Sequence, residues 1–216
     1  MASNAGAEPD RDCPLCPRLV AFRDLHRARE PSWHNAPVPS FGPADARLVV
    51  VGLAPGLKGA NRTGRPFTGD YAGDLLFATL QRFGFAVGEY RADPADGLRL
   101  IDARIVNAVR CVPPENKPTP AEIGTCRRFL APAIQRSPAA ILALGRIAHD
   151  STLRALGLRL AAHPFAHGAV HEVPGGGRLY DSYHCSRYNT NTGVLTTEMF
   201  EAVFARIRAD LDARPV

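Results

Sequence analysis

Four runs of aliphatic residues set the rhythm of the chain: Leu48 to Gly52, Ala103 to Cys111, Ala139 to Gly145 and Arg178 to His184. Arg47-Leu48-Val49-Val50-Val51 and Ala139-Ala140-Ile141-Leu142-Ala143-Leu144 have no polar alternation, which predicts strands covered on both faces. Between these runs the apolar spacing becomes helical. Helices are predicted over Pro17 to Arg29, Ala72 to Phe83, Thr119 to about Gln135, Arg146 to Leu156, and from Leu195–Thr197 to Leu211. Thr119-Pro120-Ala121-Glu122 supplies an N-cap, a proline at the first helical position and a capping-box glutamate. In the last helix Met199, Val203, Phe204, Ile207 and Leu211 share a face. Gly84 to Asp96 reads as a connection, and Ala161 to Gly177, with three histidines and a Gly-Gly-Gly turn, as an irregular strand pair. Strands separated by helices predict an α/β fold with a parallel sheet.

A chain of 216 residues can bury one good core, and a single domain over 13–216 is expected behind a frayed, small and polar tail at 1–12. No apolar run approaches the roughly 18 residues of a membrane span, and the start lacks the hydrophobic core of a signal peptide. A cytoplasmic protein without a membrane partner is expected. The net charge of +5 rests on arginine, since Lys58 and Lys117 are the only lysines. Such a balance suits an anionic partner such as nucleic acid, although arginine and alanine enrichment also follows from a GC-rich genome.

The chemistry concentrates in the loop from Gly52 to Asp70, where a predicted strand hands over to a helix. Five glycines and two prolines allow sharp turns and close approach to a ligand, Lys58, Arg62 and Arg65 make the loop basic, and Asp70 ends it with a carboxylate. A site at the carboxyl end of a strand is the natural reading, an ordinary surface crossover the plain one. Cys13-Pro14-Leu15-Cys16 is a knuckle that lets two thiolates converge. With Cys111 at a strand end and Cys126 in the following helix, four thiolates can hold zinc or an iron–sulfur cube, and their softness permits both. Cys185 makes the count odd, which argues against a disulfide framework.

Gly52-Leu53-Ala54-Pro55-Gly56, Gly64-Arg65-Pro66-Phe67-Thr68-Gly69-Asp70, Asn107-Ala108-Val109-Arg110-Cys111 and His184-Cys185-Ser186 stand in this order. On these motifs the chain resembles the uracil-DNA glycosylase superfamily, most of all its family 5 (type b), whose members carry a four-iron-four-sulfur cluster. The resemblance implies a three-layer αβα fold with a central four-stranded parallel sheet. It also implies cluster ligands at Cys13, Cys16, Cys111 and Cys126, with zinc the alternative, and a base-excision site at the strand ends. The family's His-Pro-Ser is here His184-Cys185-Ser186, which removes a rigid proline. Ala54 stands where other branches place a polar or acidic residue, and alanine there is the family 5 pattern.

The implied substrate is double-stranded DNA containing deaminated bases, uracil and also hypoxanthine, acted on by a monomer. A glycosylase flips the nucleotide into a pocket. Phe67 would stack on the base, Asn107 offers the donor and acceptor that the O4 and N3–H edge requires, and Gly52 and Ala54 border the base. His184 would donate to the base oxygen as negative charge develops, and Asp70 would position water or stabilise the oxocarbenium ion. The plain readings are a core Phe67, a strand-capping Asn107, a structural His184 and an N-cap Asp70. Lys58, Arg62, Arg65, Arg110 and Lys117 are candidates for phosphate, while Ser186, Arg187 and Tyr188 would border the minor groove. No amine is placed for Schiff-base chemistry, so strand cleavage is not expected. The rival readings are a non-catalytic iron–sulfur or zinc nucleic-acid-binding protein and a doubly wound nucleotide-binding enzyme. The second lacks both glycine fingerprints for phosphate.

Overall fold

The computed structural model describes residues 8–135 and 138–213. Its strands are β1 (Leu48–Gly52), β2 (Ala86–Val87), β3 (Arg99–Leu100), β4 (Ala103–Asn107), β5 (Ala140–Leu144), β6 (Val170–Glu172) and β7 (Arg178–Ser182). The α-helices are α1 (Pro17–Arg29), α2 (Ala60–Thr63), α3 (Tyr71–Arg82), α4 (Pro120–Ile134), α5 (Arg146–Ala155), α6 (Arg187–Asn191) and α7 (Thr197–Asp212). The main sheet runs β4-β1-β5-β7-β6, its first four strands parallel and β6 antiparallel to β7.

Both faces are covered, as the unbroken aliphatic runs require. On one face Leu48, Val50, Ile105, Leu142 and Tyr180 pack with Leu76, Phe77 and Leu80 of α3 and Phe200, Phe204 and Ile207 of α7. On the other, Val49, Val51, Val106, Ile141 and Leu179 meet Leu130 and Ile134 of α4 and Ala148 and Leu153 of α5. The expected three layers and four parallel strands are therefore present. Helix α4 opens on the expected box, the Glu122 N–H donating to Thr119 and the Thr119 N–H to Glu122.

The differences have local causes. The expected strand to Cys111 ends at Asn107 because β1 leaves the sheet at Gly52. Ala108 and Val109 still donate to the carbonyls of Gly52 and Leu53, at 2.9 Å each, before the chain turns away. A fifth strand, β6, adds an antiparallel edge where an irregular pair was expected. The 84–96 connection begins with β2, which pairs with β3. Of the expected frayed tail, residues 1–7 lie outside the described residues. From Glu8 on the chain is tied down, since that carboxylate meets Arg110 at 2.8 Å and Arg104 at 3.2 Å.

The chain visits β4 on one side of β1 and β5 on the other, so the strand order reverses at β1. Ligands of open α/β sheets bind in the crevice outside the carboxyl ends at such a reversal.

Candidate active site

That crevice is a cleft of about 450 Å³ lined by the ends of three strands and the loops they feed. The loop after β1 brings Ala54, Phe67 and Asp70, the end of β4 brings Asn107, and the segment after β7 brings His184, Ser186 and Arg187. Residues as far apart in sequence as Ala54 and Arg187 thus share one wall.

The loop is rigidly built rather than a free crossover. Asn61 is buried and donates its amide to Asn35 at 2.9 Å, while His34 and Asn35 donate backbone N–H groups to the carbonyls of Arg62 and Asn61. Its aromatic tip is held at a backbone price in strain: Phe67 has φ of 54°, a region that costs a bulky residue about 1–3 kcal/mol. The Tyr90 hydroxyl secures that conformation by donating to the Phe67 carbonyl at 3.1 Å. A Cβ at Gly52 would come within 2.9 Å of the Phe67 ring and would also collide with the Asn107 amide. Glycine at 52 therefore lets the ring and the amide close over the end of β1. A Cβ at Gly73 would strike the Phe67 carbonyl, so α3 also needs glycine to approach the tip.

Two buried side-chain oxygens, Oδ1 of Asp70 and Oδ1 of Asn107, have no hydrogen-bond partner among the described residues. Such groups are costly to leave unpaired, and both residues line the cleft. Asp70 takes the N-cap position of α3, but its side chain makes no capping bond. The Asp70 carbonyl accepts from the Gly73 N–H at 3.1 Å, and the carboxylate stands beside the first-turn N–H groups. Burial raises its pKa, opposed in part by the N–H groups of Gly73 and Ala72. The His184 ring lies against Phe67 with centroids 6.0 Å apart and planes inclined by 25°. Burial lowers its pKa to about 4, so it stands neutral at pH 7. Asn189 donates its amide to the His184 carbonyl at 2.8 Å, and Ser186 caps the short α6.

Cys185, beside His184, is fully buried, its thiol donating to the Ala72 carbonyl at 3.5 Å and pushed up to about 12 by burial. It is packing, not an exposed thiol.

Among the expected phosphate contacts, Lys58 and Arg62 are exposed on the loop, and Arg187 is exposed with its guanidinium 5.6 Å from the Tyr71 ring. Tyr188 is 74% exposed on α6. Arg65 departs from its expected role. It is buried, forms two 2.7 Å bonds to Asp96, and lies between the rings of Phe41, Phe77 and Tyr90. Arg110 likewise is buried against Glu8 and is not available to phosphate. Tyr71 and Asn116 line the cleft without having been singled out. Nothing in their local sequence marks them: Tyr71 opens α3 beside Asp70, and Asn116 is brought in by the turn after Pro113.

Away from the cleft, Cys13, Cys16, Cys111 and Cys126 line a second cavity with Leu19, Val109 and Phe129. None is in a disulfide. Burial pushes the Cys111 thiol up to about 12 and Cys126 to about 11, and a bound metal would favour their thiolate forms. The buried guanidinium of Arg23 and that of Arg110 add positive charge beside them, and the Arg110 N–H donates to the Cys126 sulfur at 3.3 Å.

Comparison with known proteins agrees with this architecture. The family model described as "Uracil DNA glycosylase superfamily" matches residues 39–208. A type-5 uracil-DNA glycosylase of Thermus thermophilus is 49% identical over 196 residues, covering 87% of this chain and 89% of that protein. One from Pyrobaculum aerophilum is 41% identical over 204 residues, covering 92% and 89%. A type-4 uracil-DNA glycosylase of Archaeoglobus fulgidus is similar at 32% identity, over 69% of this chain and 66% of that protein. By the ordered motifs, the sheet that presents them and these matches along most of its length, the chain belongs to the uracil DNA glycosylase superfamily.

Proposed function

We propose that this protein is a DNA-repair glycosylase that removes uracil, and also hypoxanthine, from double-stranded DNA and leaves an abasic site without cutting the strand. The observation that carries this reading is the pair of unpartnered buried oxygens, Asp70 Oδ1 and Asn107 Oδ1, in a cleft bordered by Phe67 and His184. A flipped uracil supplies what each lacks. Its N3–H donates to the Asn107 oxygen, the Asn107 amide donates to O4, and the ring lies on Phe67.

Breaking the N-glycosidic bond puts positive charge on the sugar and negative charge on the leaving base. Neutral His184 can donate a hydrogen bond to the base oxygen as that charge forms, with no reorganisation at the moment of reaction. The ionised Asp70 stabilises the sugar cation or orients the attacking water. The Ala54 side chain brings no polar atom to the cleft wall, so fewer side chains there can read the base, which supports a range wider than uracil. Tyr188 is the exposed aromatic nearest in sequence to the His184 motif, and it fills the gap left by the flipped nucleotide.

Oligonucleotides with a single uracil or hypoxanthine test these points together. Base release from both, with strands intact until alkali is added, is expected. Tyr188→Ala should lose about tenfold or more on duplex and much less on single strands, where no stack must be opened. Release of neither base by the folded protein would overturn the reading, and equal losses on both substrates would remove Tyr188 from its role.

We infer further that Cys13, Cys16, Cys111 and Cys126 hold a four-iron-four-sulfur cluster with a structural role. Zinc bound at about 2.3 Å would draw its four sulfurs to about 3.8 Å from one another. No three of these sulfurs are within 4.8 Å of one another among the described residues, which supports a larger occupant. The nearby arginines suit an anionic one. When bound, the cluster would cross-link α1, the segment after β4 and α4. About four irons and four acid-labile sulfides per chain are expected, and one zinc without iron would refute the assignment.

A further inference from the structure

We propose that His149, His171 and Asp181 form a second metal site, selective for a borderline divalent ion such as zinc and separate from the four cysteines. The three residues come from α5, β6 and β7, and their ligand atoms all lie within 4.8 Å of one another. His149 Nδ1 is 2.7 Å from Asp181 Oδ1, and His171 Nε2 is 3.2 Å from Asp181 Oδ2. Tetrahedral zinc with bonds of 2.0–2.1 Å spaces its ligands by about 3.3 Å, inside the 4.8 Å within which the three ligand atoms already lie. Two imidazoles and a carboxylate are a donor set that zinc accepts readily, whereas magnesium and calcium call for oxygen.

The hydrogen bonds around His149 sharpen the case. Its Nε2 is 2.9 Å from the His163 carbonyl, which can only accept, so Nε2 carries a proton. That bond fixes the ring and leaves Nδ1 directed at the carboxylate, the arrangement that orients metal-binding histidines. A bare lone pair at Nδ1 would repel the Asp181 oxygen. Either a proton shared between Nδ1 and the carboxylate or a metal ion that replaces it therefore stands there. The site is also enclosed. His149 and Asp181 are buried, the Phe165 ring packs edge-on to His149 with centroids 5.5 Å apart, and His163 does the same to His171 at 5.6 Å. The His171 side chain retains 11% exposure and provides the way in.

Asp181 lies three residues before His184 in the chain. An ion here would fasten the edge strand and α5 to the end of the strand that delivers the catalytic histidine, so its role is positional.

The test compares wild type with His171→Ala, a change on the half-buried edge strand, after equilibration with zinc chloride and removal of free metal. The cysteines contribute equally to both proteins. Wild type is expected to retain one more zinc per chain and to gain roughly 5 °C more in Tm from excess zinc. In wild type alone, the ¹⁵N resonances of His149 Nδ1 and His171 Nε2 are expected to shift on adding zinc. Equal retention, or unshifted imidazole nitrogens should the variant not fold, would overturn the site and leave a protonated histidine–carboxylate cluster only.

Discussion

Asp70→Asn is expected to reduce uracil release about 10²–10⁴-fold while leaving the fold intact or slightly firmer. The two halves of this result have one origin. The carboxylate is buried with an unpartnered oxygen, and burial raises its pKa. A carboxyl whose folded pKa is raised adds stability while protonated and loses that contribution as pH rises through the folded pKa. Near neutrality ionised Asp70 is therefore a cost to the fold, and the neutral amide removes it. The same charge is what the developing sugar cation needs. In wild type the rate should fall toward acid as Asp70, its pKa raised by burial, takes up its proton. Pre-steady-state base release across pH, beside thermal unfolding, checks both points. Full activity in the folded variant would remove Asp70 from the chemistry.

The largest expected effect on stability is at Asp96. Its carboxylate takes two 2.7 Å bonds from Arg65 and also accepts from the N–H groups of Arg91 at 3.0 Å and Leu98 at 2.9 Å. The Arg65 guanidinium holds its pKa well below the usual carboxylate range. Asp96→Ala leaves a buried guanidinium among three rings without its counter-charge, a change that costs about 3–5 kcal/mol. The stability that the pair supplies is present above the unfolded carboxylate pKa and is lost as pH falls through the lower folded one. Urea unfolding should give the full loss at pH 7, and less of it on acidification. A loss under about 1 kcal/mol at pH 7 would contradict the argument, since only exposed pairs are worth so little.

Arg65 also explains where the sequence was and was not readable. Its charge and its place in a glycine-rich loop were visible and pointed to phosphate. Its partner stands 31 positions away in a stretch that read as a plain connection, so nothing local could reveal that the charge was already used. Glu8 and Arg110 repeat the lesson at a separation that no motif spans. The parallel strands were legible because burial on both faces leaves only aliphatic residues, and α4 because its capping box is local chemistry. Strand β6 was not, because Val170-His171-Glu172 forms a half-covered edge with one apolar residue. The cleft was legible in Phe67, Asp70, Asn107 and His184, whose motifs place them in the loop after β1, at the end of β4 and just beyond β7. Tyr71 and Asn116 arrive only through tertiary folding.

The buried Cys185 has a consequence for durability. Its thiol ties the backbone beside His184 to the start of the helix that follows Asp70, so it helps to set the spacing of these two residues. Oxidants attack thiolates that they can reach, and this one is neither ionised nor reachable. A uracil DNA glycosylase fold thus keeps the sulfur beside His184 out of range of the agents that modify exposed cysteines.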